Sequence, residues 1–275
     1  MINRDPLLTD GQPTDRIKAI WEELGFRFGN KGTHTSRTIM LDELSALLRV
    51  CPPTATRLDY VKATVEDNCL GKQTLSTRRL TLQRMTELYA LDASVPLFRL
   101  LRQFWYEDER SRGQLALLVS VARDPLFRAT APVVLAMSLG EEIARQRFTD
   151  AIRGAVNGRL NDETLDKVVR NAASSWTQSG HFDGRSRKKR MQVEPTAVSA
   201  AFALMLGYML GLRGRSLFDS LFARVLDRDE NALTFLAMGA KRLGLLDIKS
   251  GGGMTVVSFD AILTEREKRL IHGTH

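Results

Sequence analysis

Residues 162–193 read DETLDKVVRNAASSWTQSGHFDGRSRKKRMQV. The first half carries Leu165, Val168, Val169, Ala172 and Trp176 at the spacing of one helix face. Asn161 is placed to cap such a helix, Asp162 and Glu163 suit the positive end of its dipole, and Gly180 is placed to end it. The spacing predicts a helix over 162–178. Opposite the apolar stripe lie Lys167, Arg170, Asn171, Ser174, Thr177 and Gln178, none acidic and each able to hydrogen-bond a phosphate or a base. Residues 181–193 then read as two short extended pieces around Arg185-Ser186-Arg187-Lys188-Lys189-Arg190, five cations in six positions. A helix followed by a basic hairpin is the layout of a winged helix. The helix enters the major groove, and the wing lays cations along the backbone or minor groove. Each phosphate neutralised releases counterion, so the loop is expected to give salt-sensitive, sequence-blind affinity. The plainer alternative is a disordered basic loop.

The same layout recurs, more weakly, over 229–259. A helix over 229–243, ended by Gly244, precedes two alternating segments, 245–249 and 254–259, around Ser250-Gly251-Gly252-Gly253. Asp247 and Asp260 dilute its charge, so a structural or protein-binding winged helix is the better reading there. The glycines are no phosphate loop, because no Gly-Lys-Ser/Thr follows.

A helix–turn–helix is expected over 54–91. Between Asn68 and Thr86 stand Lys72, Arg78, Arg79 and Arg84 and no carboxylate. Leu75, Leu82, Met85 and Tyr89 share one helical face, leaving hydroxyl, amide and guanidinium groups to point outward. Those groups suit DNA contact, or a solvated face.

Strand signals are otherwise scarce. Helices are expected over 14–24, 38–50, 96–106, 114–123, 141–156 and 263–271, with a Gly/Asn/Lys-rich break at 29–35 and a turn-rich piece from Asp124 to Gly140. Cys51-Pro52-Pro53 stops the helix before it. The expectation is an all-α helical bundle with winged helix-turn-helix units carrying short β-hairpin wings. Residues 1–13 form a loose tail, 14–137 an N-terminal domain and 138–275 a C-terminal one.

Forty Lys and Arg oppose 32 Asp and Glu in 275 residues, a net charge of +8, which favours a polyanionic partner. Two cysteines, Cys51 and Cys69, build neither a disulfide framework nor a zinc site, and no apolar leader opens the chain; a cytoplasmic protein with reduced thiols is expected. The apolar run Ala197–Leu212 holds 16 residues, whereas a membrane span needs about 20. It reads as a buried helix, with membrane association as the alternative. Enzyme signals are thin. His34, His181 and the cysteines lack metal spacing, Glu141-Glu142 and Asp162-Glu163 are adjacent pairs that point about 100° apart on a helix, and Ser174-Ser175 lacks a nucleophile-elbow context. No catalysis, metal or cofactor is expected.

The stretch Glu66–Arg79, EDNCLGKQTLSTRR, resembles the A component of bacterial BREX phage-defence systems, which carries a related N-x-L-x-K-x-(T/S)-x-x-T-x-(R/K) run between two helices. Leu88-Tyr89-Ala90-Leu91 through Pro96-Leu97-Phe98, and Thr164-Leu165-Asp166-Lys167, are similar too. The likeness spans roughly residues 37–260, and the cationic segment 174–195 departs from it. It implies a small helical, non-catalytic DNA-binding protein acting beside larger methyltransferase and ATPase components. The expected function is therefore double-stranded DNA binding within a phage-defence system, through Lys72, Arg78, Arg79 and Arg84 on one face and Lys167, Arg170, Asn171, Ser174 and the 185–190 loop on another. An RNA-binding or transcription-regulatory protein and a protein-binding scaffold are the alternatives.

Overall fold

A computed structural model describes residues 7, 13–251 and 254–273. Apart from Leu7 and Pro13, the expected tail lies outside the described residues, as do Gly252 and Gly253. The chain is mostly helical: α1 (Asp15–Leu24), α2 (Leu41–Val50), α3 (Arg57–Val61), α4 (Leu75–Tyr89), α5 (Pro96–Trp105), α6 (Arg112–Arg123), α7 (Pro125–Arg128), α8 (Ala131–Leu135), α9 (Arg145–Ala155), α10 (Asp162–Gln178), α11 (Ala197–Met209), α12 (Leu221–Arg224), α13 (Glu230–Arg242) and α14 (Glu265–His272). Two antiparallel hairpins complete it, β1 (Phe182–Asp183) with β2 (Lys189–Arg190), and β3 (Asp247–Gly251) with β4 (Met254–Ser258).

Side-chain caps set many of the helix starts. Thr14, Thr56, Thr74, Asn161, Thr196, Asp229 and Thr264 each accept a backbone N–H from the first turn that follows. The apolar face of α10 closes onto the core, with Leu165, Val168, Val169, Ala172 and Trp176 all buried. Burial of a Leu or Val side chain contributes about 1.5–3 kcal/mol of transfer free energy. Nearly all of α11 is buried as well, and among the described residues no helix is long and apolar enough to cross a membrane. Buried apolar side chains form one cluster running from Trp21 to Ile271.

Three elements differ from expectation. Residues 141–156 are helical only from Arg145, because Glu141–Ile143 is drawn into backbone pairing with the first hairpin. The turn-rich piece after Asp124 is two short helices, each with a proline in its first turn, where the missing amide proton costs nothing. Leu75, expected in the core, is exposed at the start of α4, while Met85 and Tyr89 are buried.

Part of the positive charge is spent inside the fold. Arg102 donates to the carbonyls of Pro52 and Ala55; Arg123 to those of Gly25, Glu87 and Leu88; Arg128 to those of Arg27, Val121 and Ala122. All three are buried. A guanidinium offers five donors in a fixed fork, so it satisfies several chain-end carbonyls at once.

Candidate nucleic-acid interface

The candidate surface is built on residues 141–190. Arg190 N donates to Glu141 O at 2.9 Å, and Ile143 N donates to Lys188 O at 2.9 Å. On the other side β2 pairs β1, with Phe182 opposite Arg190 and Asp183 opposite Lys189. Three chain segments thus lie side by side, with 188–190 in the middle. Alternation then sorts the side chains. Phe182 and Arg190 are buried; Asp183 and Lys189 are exposed.

The basic loop is therefore not uniform. Arg190 is 3% exposed; it is ion-paired with Asp227 and donates to the carbonyls of Val134 and Met191. A guanidinium so placed cannot reach a phosphate, and its expected contact role is corrected to an anchor. Asp227 Oδ2 also accepts from Val193 N at 3.3 Å, and Gln192 Nε2 donates to Asp227 O at 3.2 Å. Nearby, buried His181 has Nε2 2.6 Å from Val225 O and Nδ1 2.9 Å from Ser179 Oγ. Burial lowers its pKa to about 4, so the ring is neutral. Lys188 is half-buried and donates to Thr177 Oγ1 at 2.8 Å and Gly184 O at 3.3 Å, with burial holding its pKa below the ordinary range. It pins the hairpin to the end of α10. Arg185, Arg187 and Lys189 are exposed, and none is paired with a carboxylate among the described residues.

Along α10 the exposed stripe is Glu163, Asp166, Lys167, Arg170 and, half-buried, Ser174 and Thr177. Its first turns are mixed in sign: Lys167 pairs with Glu163 at 2.7 Å, and Arg145 with Asp166 at 2.9 Å. Only from Arg170 onward is the stripe free of carboxylates. Arg170 is exposed and unpaired among the described residues. Asn171, expected to face out, instead donates Nδ2 to His34 O at 2.8 Å, because the 29–38 segment packs along that flank. Gln178 is held likewise, by Thr38 Oγ1 at 3.2 Å and Leu41 N at 3.4 Å.

The helix–turn–helix over 54–91 keeps less of its charge available. Lys72 pairs with Glu43 at 2.9 Å and Arg84 with Glu87 at 2.7 Å. Arg78 folds back onto the carbonyls of Val65 and Lys72, clamping the turn that carries the EDNCLGKQT run. Arg79 alone of the four is exposed and unpaired among the described residues. The structure thus brings Lys167, Arg170, Ser174 and the 185–189 loop together on one unit. It leaves Lys72, Arg78, Arg79 and Arg84 on another.

One constellation went unforeseen. Asp124 Oδ2 lies 2.8 Å from His34 Nδ1, and His34 Nε2 lies 2.9 Å from Ser175 Oγ. The three residues are fully buried. The Ser175 hydroxyl donates to Asn171 O at 2.8 Å and accepts from Ile39 N at 3.0 Å. His34 stacks on Phe127 with ring centroids 4.4 Å apart. Burial alone would raise the Asp124 pKa, but the His34 charge and hydrogen bonds outweigh it and lower it. An aspartate–histidine–serine line with no solvent access, and with its serine proton given to a carbonyl, bridges the 29–38 segment to α10. Among the described residues no three His, Cys, Asp or Glu side chains converge as a metal site.

The second helix-and-hairpin, α13 with β3 and β4, presents a different surface. Lys241 pairs with Asp247 at 2.7 Å, and the exposed side of α13 carries Phe235, 75% exposed, and Met238. No family model matches the chain, no curated protein matches it, and no solved structure matches it.

Proposed function

We propose that this protein binds double-stranded DNA without catalysing a reaction, through a winged helix-turn-helix unit spanning residues 141–190. The order extended segment, α9, α10, hairpin, with the first segment pairing the far strand of the hairpin, is the order of such a unit. In this reading α10 approaches the major groove with Arg170 and Ser174, and the hairpin loop lies on the backbone. The observation that carries it is the set Arg185, Arg187 and Lys189, exposed and unpaired on a loop whose base is fixed by Arg190 and Lys188. Fixing the loop lowers the ordering cost of binding, and the free cations supply counterion release. The mixed charge of the first turns of α10 favours backbone-dominated over base-specific recognition.

Anisotropy titration of a labelled 25-base-pair duplex, competed with unlabelled duplex DNA, with single-stranded DNA and with duplex RNA of equal length, tests this. Preferential displacement by duplex DNA supports it; preferential displacement by RNA favours an RNA-binding protein. The likeness of Glu66–Arg79 to the BREX A component extends the proposal to phage defence, in which the protein acts beside the system's larger enzymes. Co-purification with them, and loss of phage resistance on deletion, are the expected outcomes.

A second reading rests on one observation. Phe235 and Met238 stand on the exposed side of α13, where a DNA-reading helix carries polar groups. That unit is the part of the chain suited to holding a protein partner.

A further inference from the structure

The segment between α1 and α2 reads as a loop, yet hydrogen bonds hold it along its length. It runs beside α10 in the same direction. Arg159, just before α10, donates to Asn30 O; Asn171, midway, donates to His34 O at 2.8 Å; Gln178, at the end, donates to Thr38 Oγ1 at 3.2 Å. Beneath it, His34 is bound to Asp124 and Ser175 in the buried line described above. Gly32 presses against Asp124 so closely that a Cβ there would lie 2.0 Å from Oδ1. On a helical projection Asn171 and Gln178 flank the exposed stripe of α10, which contains Arg170 and Ser174. The hairpin meets that stripe at Thr177 through Lys188. The stripe therefore has the hairpin at its C-terminal end and the 29–38 segment along one flank.

The chemistry of this segment matches its position. From Phe26 to Leu41 there are three cations, Arg27, Lys31 and Arg37, and no carboxylate. Lys31 is exposed and unpaired among the described residues. Arg37 is half-buried, and among the described residues its side chain bonds only the carbonyl of Ser36, at 3.0 Å.

We infer that the 29–38 segment is a second backbone-contacting element, in which Lys31 and Arg37 take phosphates of a polynucleotide strand lying along the flank of α10. This rests on the DNA-binding reading and extends it: the unit grips from two sides, with the hairpin on one strand and the 29–38 segment on another. The partner is a duplex polyanion wide enough to present both strands. Because the segment belongs to the N-terminal half of the chain, the contact surface joins both halves through the His34 bridge.

The test compares Lys31→Ala/Arg37→Ala with Arg185→Ala/Arg187→Ala/Lys189→Ala in the full chain, titrating a 25-base-pair duplex at several salt concentrations. Lys31→Ala alone is the control for any packing role of Arg37. The double variant should bind about fivefold or more weakly at moderate salt and flatten the plot of log K against log salt by roughly 1–2, the amount expected for one or two lost phosphate contacts. The single variant should show part of both effects. A double variant with wild-type affinity and slope, beside a weakened hairpin variant, overturns this inference and leaves the DNA-binding reading standing. A wild-type chain that ignores the duplex overturns both.

Discussion

Arg190 and Asp227, 37 positions apart, close on each other at the root of the hairpin, their side chains 4% and 10% exposed. Two neighbours in one basic run are thereby given opposite work: Arg190 holds the hairpin, and Lys189 extends from it. A buried charge left without its partner costs about 3–5 kcal/mol. Arg190→Ala and Asp227→Ala should each destabilise the protein by that order in urea unfolding. Lys189→Ala should stay within about 0.5 kcal/mol of wild type. Equal, small effects for Lys189 and Arg190 would show that the run is uniformly solvated.

His181 makes stability depend on pH. Its pKa is about 4 in the fold, where burial disfavours the charged ring, against an ordinary value of 6.5. The unfolded chain therefore binds the proton more readily between these values. The stabilisation is complete above pH 6.5 and is lost as pH falls toward 4, by about 3 kcal/mol in all. His181→Gln should flatten the fall in unfolding free energy across that window relative to wild type. An unchanged slope would place the ring in contact with water.

Gly32 is required by close approach. Gly32→Ala would set a methyl group against the Asp124 carboxylate and force the 29–38 segment outward. A cost of about 1–3 kcal/mol is expected, with a drop in melting temperature as the readout. Gly29→Ala, which meets nothing within 4 Å but holds φ at +98°, should cost less. The reverse order would remove Asp124 as the support of this segment.

Phe235 tests the second helix-and-hairpin. Phe235→Asp should leave stability within about 0.5 kcal/mol, since the ring is 75% exposed. It should also leave DNA affinity unchanged and abolish association with any protein held by α13. Weakened DNA binding would move α13 into the nucleic-acid interface.

Much of this was legible in residues. Asn161, the stripe from Leu165 to Trp176 and Gly180 mark α10 at both ends, because capping and periodicity are local signals. Nothing local marks Glu141–Ile143 as extended, since only the hairpin 45 or so positions later supplies its backbone partners. The turn of Arg190 toward Asp227 follows from strand alternation, which a run of like charges conceals. Asn171 and Gln178 looked outward because the segment covering them lies more than 130 positions away in sequence. The lack of carboxylates from Phe26 to Leu41 is visible in the sequence. Its packing on α10 was not visible.

The decisive measurement is the salt dependence of duplex binding by Arg185→Ala/Arg187→Ala/Lys189→Ala, set against wild type. The wild-type chain should bind at physiological ionic strength. The triple variant should lose affinity by about tenfold or more, with a slope shallower by roughly 3 and an unaltered melting temperature. Equal affinity and equal slope for the two proteins would contradict it.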